Sequence, residues 1–498
     1  FKGRWVALRS RIERLADQYY ETGDPRTAFD AAVMLAHFAD AFPSLDYTVQ
    51  STMLATWGTH PFNCFRGNHA GEFGKLDYSG WAGKDNMPLV MSYDKLFPFI
   101  KDNAALAEAV GQTIPWVKTP QDLVELLDVK LVQHFFDVSE RGEIRFSSLR
   151  CEPAIALVQG DNEAGREMLR RITHQSDYQF ASLLDTLTCK RSRDSTSFIG
   201  SMYYAKGPSL GSGAALAEVT RFARRVNADA FDLVRHGRTP ILHQAALWLI
   251  EPYTAGVHVN GVGDVSGPTG TPTMTYGEEP ETAQMVLLEA WRHYGDARFA
   301  WMLDRVYGLP DYATKADAEA VRAAARAIPQ DPRQTLPSRA LEGFGVGILE
   351  NRVGEPDFRR RTGVVMRAGY GAGHSHADSL NLEVFSKGLV ALPEFGGRPG
   401  YGKPPTTAPE SHCLVTVDGR VRTATLNLVA HLPGVPCMEA GFGGGEKEIA
   451  ARRFVALVDG PGDEAYLFDV VRASGGRERT YWFHGQQTEA METPDAVE

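Results

Sequence analysis

Two histidines and an aspartate stand two residues apart in the stretch GAGHSHADSLNLEVF: His374, His376 and Asp378. On a β-strand, a spacing of two puts all three side chains on one face. Three polar groups ahead of an apolar strand are costly to bury unless something answers them. A metal ion or a reacting substrate would do so; a solvated strand edge is the plain alternative. Two later residues extend the pattern. Glu394 sits in PEFGG, where glycines let the backbone turn tightly, and His412 opens HCLVTVDG. Imidazole and carboxylate donors suit zinc, which accepts three protein ligands and one open or water position.

The elements that must hold these residues change character along the chain. Lys2 onwards, and the segments 27–42, 120–136, 154–172, 213–227, 241–250, 281–294 and 316–328, carry apolar residues at helical spacing. The stretch PQDPRQTLP at 329–337 holds three prolines and reads as a linker. Beyond it the period becomes two, in GVGILENRV, LNLEVFS, CLVTVDG, RFVALVDG, AYLFDVV and TYWFHG. Alternating apolar residues between Gly-rich turns predict antiparallel strands, and strands without intervening helices favour a sandwich. The expected division is therefore a helical region over 1–333 and a β-sandwich over 334–498.

The 498 residues are 43% hydrophobic and 23% charged, which suits packed domains and excludes a disordered chain. A formal charge of -10 argues against a globally basic nucleic-acid binder. No apolar run is long enough to predict a membrane span. Five cysteines lie far apart without a CxxC pair, so neither a thiolate zinc site nor a dense disulfide framework is expected. The start at Phe1 rather than Met suggests a removed leader and a periplasmic or secreted protein, with a cytoplasmic one as the alternative. No P-loop pattern is present, and GxSxG spacing fails to appear in a strand-turn-helix context.

With these motifs in view, the chain resembles the heparinase II/III-like polysaccharide lyases, a family that includes heparinases and exo-acting alginate lyases. The resemblance is carried by GHSHADSLNLEVFSKGLVALPEFGGRPGY and SHCLVTVDG, and more weakly by TGDPRTAFDAAVMLAHFADAFP, MSYDKLFPFI, YYAKGPSLGSGAAL and VGDVSG. It implies an N-terminal (α/α) toroid, a C-terminal antiparallel β-sandwich and a substrate cleft between them. It implies β-elimination on a uronate-containing acidic polysaccharide. Glycosaminoglycans such as heparin or heparan sulfate, hyaluronan and chondroitin are favoured slightly over alginate. His374 would be the catalytic or charge-neutralising imidazole. His376, Glu394 and His412 would match a structural zinc site, with Glu394 where Asp is more usual.

Elimination removes the proton on C5 of a uronate and expels the 4-oxygen. The carboxylate must be neutralised, and a base and an acid must sit at C5 and at the leaving oxygen. The family's base is a Tyr just after a Gly-Pro pair. Here Gly207-Pro208 is followed by Ser209-Leu210-Gly211-Ser212, so the base is left between Tyr204 and His374. Tyr401 is the expected acid or sugar-stacking ring. Asn68, His69, Arg150, Glu152, Tyr203 and Arg398 are the candidate substrate contacts. Tyr253, His258, Asn260, Trp57 and Trp81 are further ones, for which burial is the simpler role. A metal-assisted glycan hydrolase and a non-catalytic glycan-binding protein remain the readings from other classes. Homo-oligomerisation is left open.

Overall fold

A computed structural model describes residues 2–44, 79–140, 155–156, 158–160, 162–174, 217, 220–221, 241–259, 280–342, 345–368, 376–394, 407–443 and 449–485. The chain forms two compact units, Phe1–Thr186 with Glu218–Leu233, and Leu187–Ala217 with Val234–Glu498. Among the described residues, helices precede residue 335 and, apart from one short hairpin, strands follow it. None of the described helices is long and apolar enough to cross a membrane.

The first unit is helical: α1 (Lys2–Thr22), α2 (Pro25–Ala41), α3 (Ser79–Ile100), α4 (Ala104–Gly111), α5 (Pro120–Leu127), α6 (His134–Glu140) and α7 (Glu163–His174). Asp24 starts α2 by accepting from the Arg26 amide, with Pro25 in the first turn. Its buried stripe of Ala28, Ala31, Ala32, Leu35, Ala36, Phe38 and Ala39 faces the helical core. A capping box of Thr119 and Asp122 starts α5. The expected single helix over 120–136 is interrupted by a π-turn at Asp128–Gln133, where Tyr93 donates to Asp128 at 2.8 Å.

The second unit combines α8 (Ile241–Leu247), the hairpin β1 (Tyr253–Thr254) and β2 (Val257–His258), α9 (Pro280–Tyr294), α10 (Ala297–Met302) and α11 (Lys315–Ala325) with the sheets. One antiparallel sheet has the order β3-β4-β5-β6-β7: Arg339–Leu341, Val346–Glu350, Thr362–Arg367, Leu382–Ser386 and Leu389–Leu392. The second has the order β12-β11-β10-β9: Ala465–Ser474, Ala450–Asp459, Cys437–Phe442 and Thr425–Ala430. A small pair joins β8 (Val415–Val417) to β13 (Arg479–Tyr481).

The five-stranded sheet is buried on both faces. Leu349, Val364, Met366 and Leu382 share a core with Met438, Ala440, Val455 and Leu457 of the other sheet. The opposite parity, Val346, Ile348, Val365 and Phe385, packs on Trp248 at the end of α8 and on Ala255 and Val259 at the hairpin. Two glycines permit this closeness. A Cβ at Gly347 would stand 2.9 Å from Met438 Sδ, and one at Gly363 would stand 1.9 Å from Thr254 Oγ1.

A buried ion triad fastens the hairpin. Arg361 donates to Glu350 at 2.8 Å, and Arg339 lies 3.6 Å from the other carboxylate oxygen while donating to the backbone of Glu251 and Tyr253. The Pro-rich stretch lies inside this unit. Pro332–Thr335 is a 3-10 turn, with the Arg333 guanidinium over the Tyr253 ring at 4.7 Å.

Candidate metal centre

Three loops deliver the donors. Residues 376–381 form a turn ahead of β6, Glu394 follows β7, and His412 follows a 3-10 turn at Pro409–Ser411. This corrects the strand geometry expected from the His-x-His-x-Asp spacing. Asn381 donates its amide to the Asp378 carbonyl, and Leu380 adopts a left-handed φ of 69°. A bulky residue there stores strain that its surroundings must hold. The strand begins only at Leu382, and His412 likewise precedes its strand, which starts at Val415.

Backbone hydrogen bonds lay the first loop beside the third. Ala377 donates to Thr407, and Leu382 donates to Cys413, each at 3.2 Å. His376, Glu394 and His412 then converge, with one donor atom from each lying within 4.8 Å of the others. All three are buried. His412 Nδ1 is 2.8 Å from Glu394 Oε2, and His376 Nδ1 is 3.6 Å from Glu394 Oε1. The imidazole rings are 5.6 Å apart.

The buried groups of the cluster are electrostatically coupled. For Glu394, burial favours the neutral form, yet the two imidazoles outweigh it and hold the carboxyl below its ordinary range. For His412, burial opposes protonation, and the Glu394 carboxylate outweighs it and raises the imidazole. Burial pushes Asp378 up, opposed by Arg367 and His412. Its Oδ1 has no hydrogen bond, and Arg367 Nε approaches Oδ2 only to 3.9 Å. Two carboxylates, Asp378 and Glu394, and two imidazoles are thus buried together, with the Arg367 guanidinium beside Asp378. His412 Nε2 is a buried nitrogen without a hydrogen-bond partner. Two imidazoles and a carboxylate with such a nitrogen fit a zinc-type ion.

Four residues that the motifs did not bring forward support the trio. Asn381 spans Glu394 and the backbone at Cys413. Arg367 pairs with Asp378. Arg453, from β11, donates to the carbonyls of Leu380 and Cys413, and is itself held by Asp469. Polar residues inside apolar runs, as in SLNLEVF and RFVALV, were the available signal.

The other expected site residues, His374, Tyr204, Tyr401, Asn68, His69, Arg150, Glu152, Tyr203 and Arg398, lie outside the described residues, as do Trp57 and Asn260. The same holds for the side chains of Trp81 and His258.

No family model and no curated protein matches the chain. Among solved structures it is similar to two of a heparinase III, one of them with methylated lysines. The TM-score is 0.60 for both, at 12% and 13% identity. Each match covers 97% of this chain and 66% of the heparinase III chain, so the protein spans less than two thirds of that length. At this identity the likeness is one of fold: a helical N-terminal region followed by antiparallel sheets.

Proposed function

We propose that the protein is a polysaccharide lyase that cleaves a uronate-containing acidic polysaccharide by β-elimination. The observation that carries this reading is the convergence of His376, Glu394 and His412 in a chain with a heparinase III-like fold over 97% of its length. In this reading the helical region to about residue 333 is an (α/α) toroid and the sheets are its β-sandwich partner. Glycosaminoglycans are the first substrate class, and alginate is the second.

His376, Glu394 and His412 would hold zinc, which supplies positive charge that cross-links three loops of the sheet region. His374, two residues before His376, then stands next to a fixed point. The reaction needs the C5 proton removed, the bond from C4 to its oxygen broken, a C4–C5 double bond formed and the departing oxygen protonated. His374 or Tyr204 takes the first proton and Tyr401 supplies the second. Arg150, Arg398, Asn68 and His69 are assigned to the uronate carboxylate, whose charge opposes the developing carbanion. Glu152 and Tyr203 are assigned to the sugar hydroxyls.

The test is a panel of uronate polymers followed by ultraviolet absorbance of the unsaturated product. A rise with one polymer supports the lyase. New reducing ends without that rise would establish hydrolysis instead. Binding without cleavage would establish a glycan-binding protein, the reading that Ser209-Leu210-Gly211-Ser212 after Gly207-Pro208 favours, because that loop lacks the family's Tyr.

A further inference from the structure

We infer that Asn381 is a positioning residue of the metal centre, setting two of its three donors with one side chain. The inference rests on the reading of His376, Glu394 and His412 as metal ligands. Asn381 is buried, and both ends of its amide are engaged. Its Nδ2 donates to Glu394 Oε2 at 2.9 Å, and its Oδ1 accepts from the Cys413 amide at 2.8 Å. Cys413 follows His412 directly, so the second bond fixes the backbone that carries an imidazole. The first fixes the carboxylate.

The residue type follows from the geometry. A donor and an acceptor must stand side by side on one rigid planar group. Asn supplies both, Asp only acceptors, and Leu neither. Glu394 makes this hold more necessary. It reaches the centre on three side-chain torsions, one more than Asp would use. Its Oε1 faces His376 while Oε2 is held by Asn381 and His412 Nδ1. Without Asn381 that oxygen would lose the hydrogen bond that ties it to the 376–381 turn.

The backbone of Asn381 is fixed as firmly as its side chain. Its carbonyl accepts from the Arg367 amide at 3.0 Å, and its amide donates to Asp378. The preceding Leu380, at φ 69°, has its amide on the Arg367 carbonyl and its carbonyl on Arg453. Arg453 Nη1 also reaches the Cys413 carbonyl at 2.5 Å. The two backbone segments that Asn381 bridges are therefore clamped a second time from β11. Partners that orient metal ligands typically change affinity about 10–100-fold when removed.

The experiment uses the full chain, stripped with a chelator and titrated with zinc against a chromophoric competitor. Cobalt(II) is added separately as a spectroscopic probe of donor geometry. Asn381→Leu keeps the branched shape in a somewhat larger side chain and removes both hydrogen bonds. It should weaken zinc about 10–100-fold and alter the visible cobalt bands. Its melting temperature should fall more in the zinc-loaded form than in the stripped form, because the lost binding is linked to folding. Should Asn381→Leu fail to fold, Asn381→Ser carries the test, since its hydroxyl and a filling water keep the loop solvated. Unchanged zinc affinity and cobalt bands, with equal melting losses in both forms, would mark Asn381 as structural only and overturn the inference. A wild-type chain that binds neither ion would instead remove the metal-centre reading beneath it.

Discussion

His412 Nδ1 lies 2.8 Å from Glu394 Oε2, and both side chains are out of reach of water. A charge held this way depends on its partner, because breaking a buried pair from one side strands the other. His412→Ala should therefore lower bound zinc well below that of the wild type and cost about 3–5 kcal/mol of stability. Metal analysis and denaturant melts of the purified variant would check both.

Glu350 poses the same problem without a metal. It sits between Arg361 and Arg339, with no exposure of its own. Glu350→Ala would leave two guanidiniums facing each other under the 253–258 hairpin. The expected loss is about 3–5 kcal/mol in urea unfolding. Removing Glu350 together with both arginines should cost less than removing Glu350 alone.

Gly363 should not accept a methyl group. A Cβ there would meet Thr254 Oγ1 at 1.9 Å, on a strand whose backbone cannot retreat. Gly363→Ala should destabilise by about 1–3 kcal/mol, the usual range for overpacking. Adding Thr254→Ala should recover part of that loss, measured by thermal melts of the single and double variants.

Acid should weaken the second unit through two carboxylates. For Asp296, burial opposes ionisation, but hydrogen bonds from His243 and Arg298 outweigh it and hold the group well below its ordinary value. Asp317 is held down chiefly by Arg292. A folded-state value below the unfolded one means that the unfolded chain binds protons first as pH falls. The stabilisation is thus complete above about pH 4, the unfolded value, and is lost progressively below it. Urea midpoints should fall progressively as pH drops below about 4 and should still be falling at about pH 3. The drop should be shallower in Asp317→Asn, whose starting stability is already lower.

Turnover, where the lyase reading applies, should depend on His374. His374→Ala should reduce the rate by about 10²–10⁴-fold, the span of a positioned acid-base group, with circular dichroism and zinc content unchanged. Full activity in that variant would dismiss His374 from the reaction.

The three donors that converge, His376, Glu394 and His412, were named from the sequence, as zinc-suited residue types and, as a set, by the family resemblance. Their supporting residues were not. Arg453 reaches Leu380 and Cys413 from far along the chain, and nothing local marks that pairing. Elements were lost where burial erased their period. β5 is buried at every position, so its TGVVMR shows no alternation, whereas β12 alternates and was read. Internal prolines hid part of α3, which carries Pro88 and Pro98. The 376–381 turn was mistaken for strand because its spacing mimics one, while its left-handed Leu380 is invisible in residue type.

The double covering of the five-stranded sheet has a practical consequence. A fragment trimmed to begin after the Pro-rich stretch would present Val346, Ile348, Val365 and Phe385 to solvent, because Trp248, Ala255 and Val259 would be gone. Such a truncation should aggregate on expression, and a soluble excised product would need its left-hand border moved upstream of Ile241.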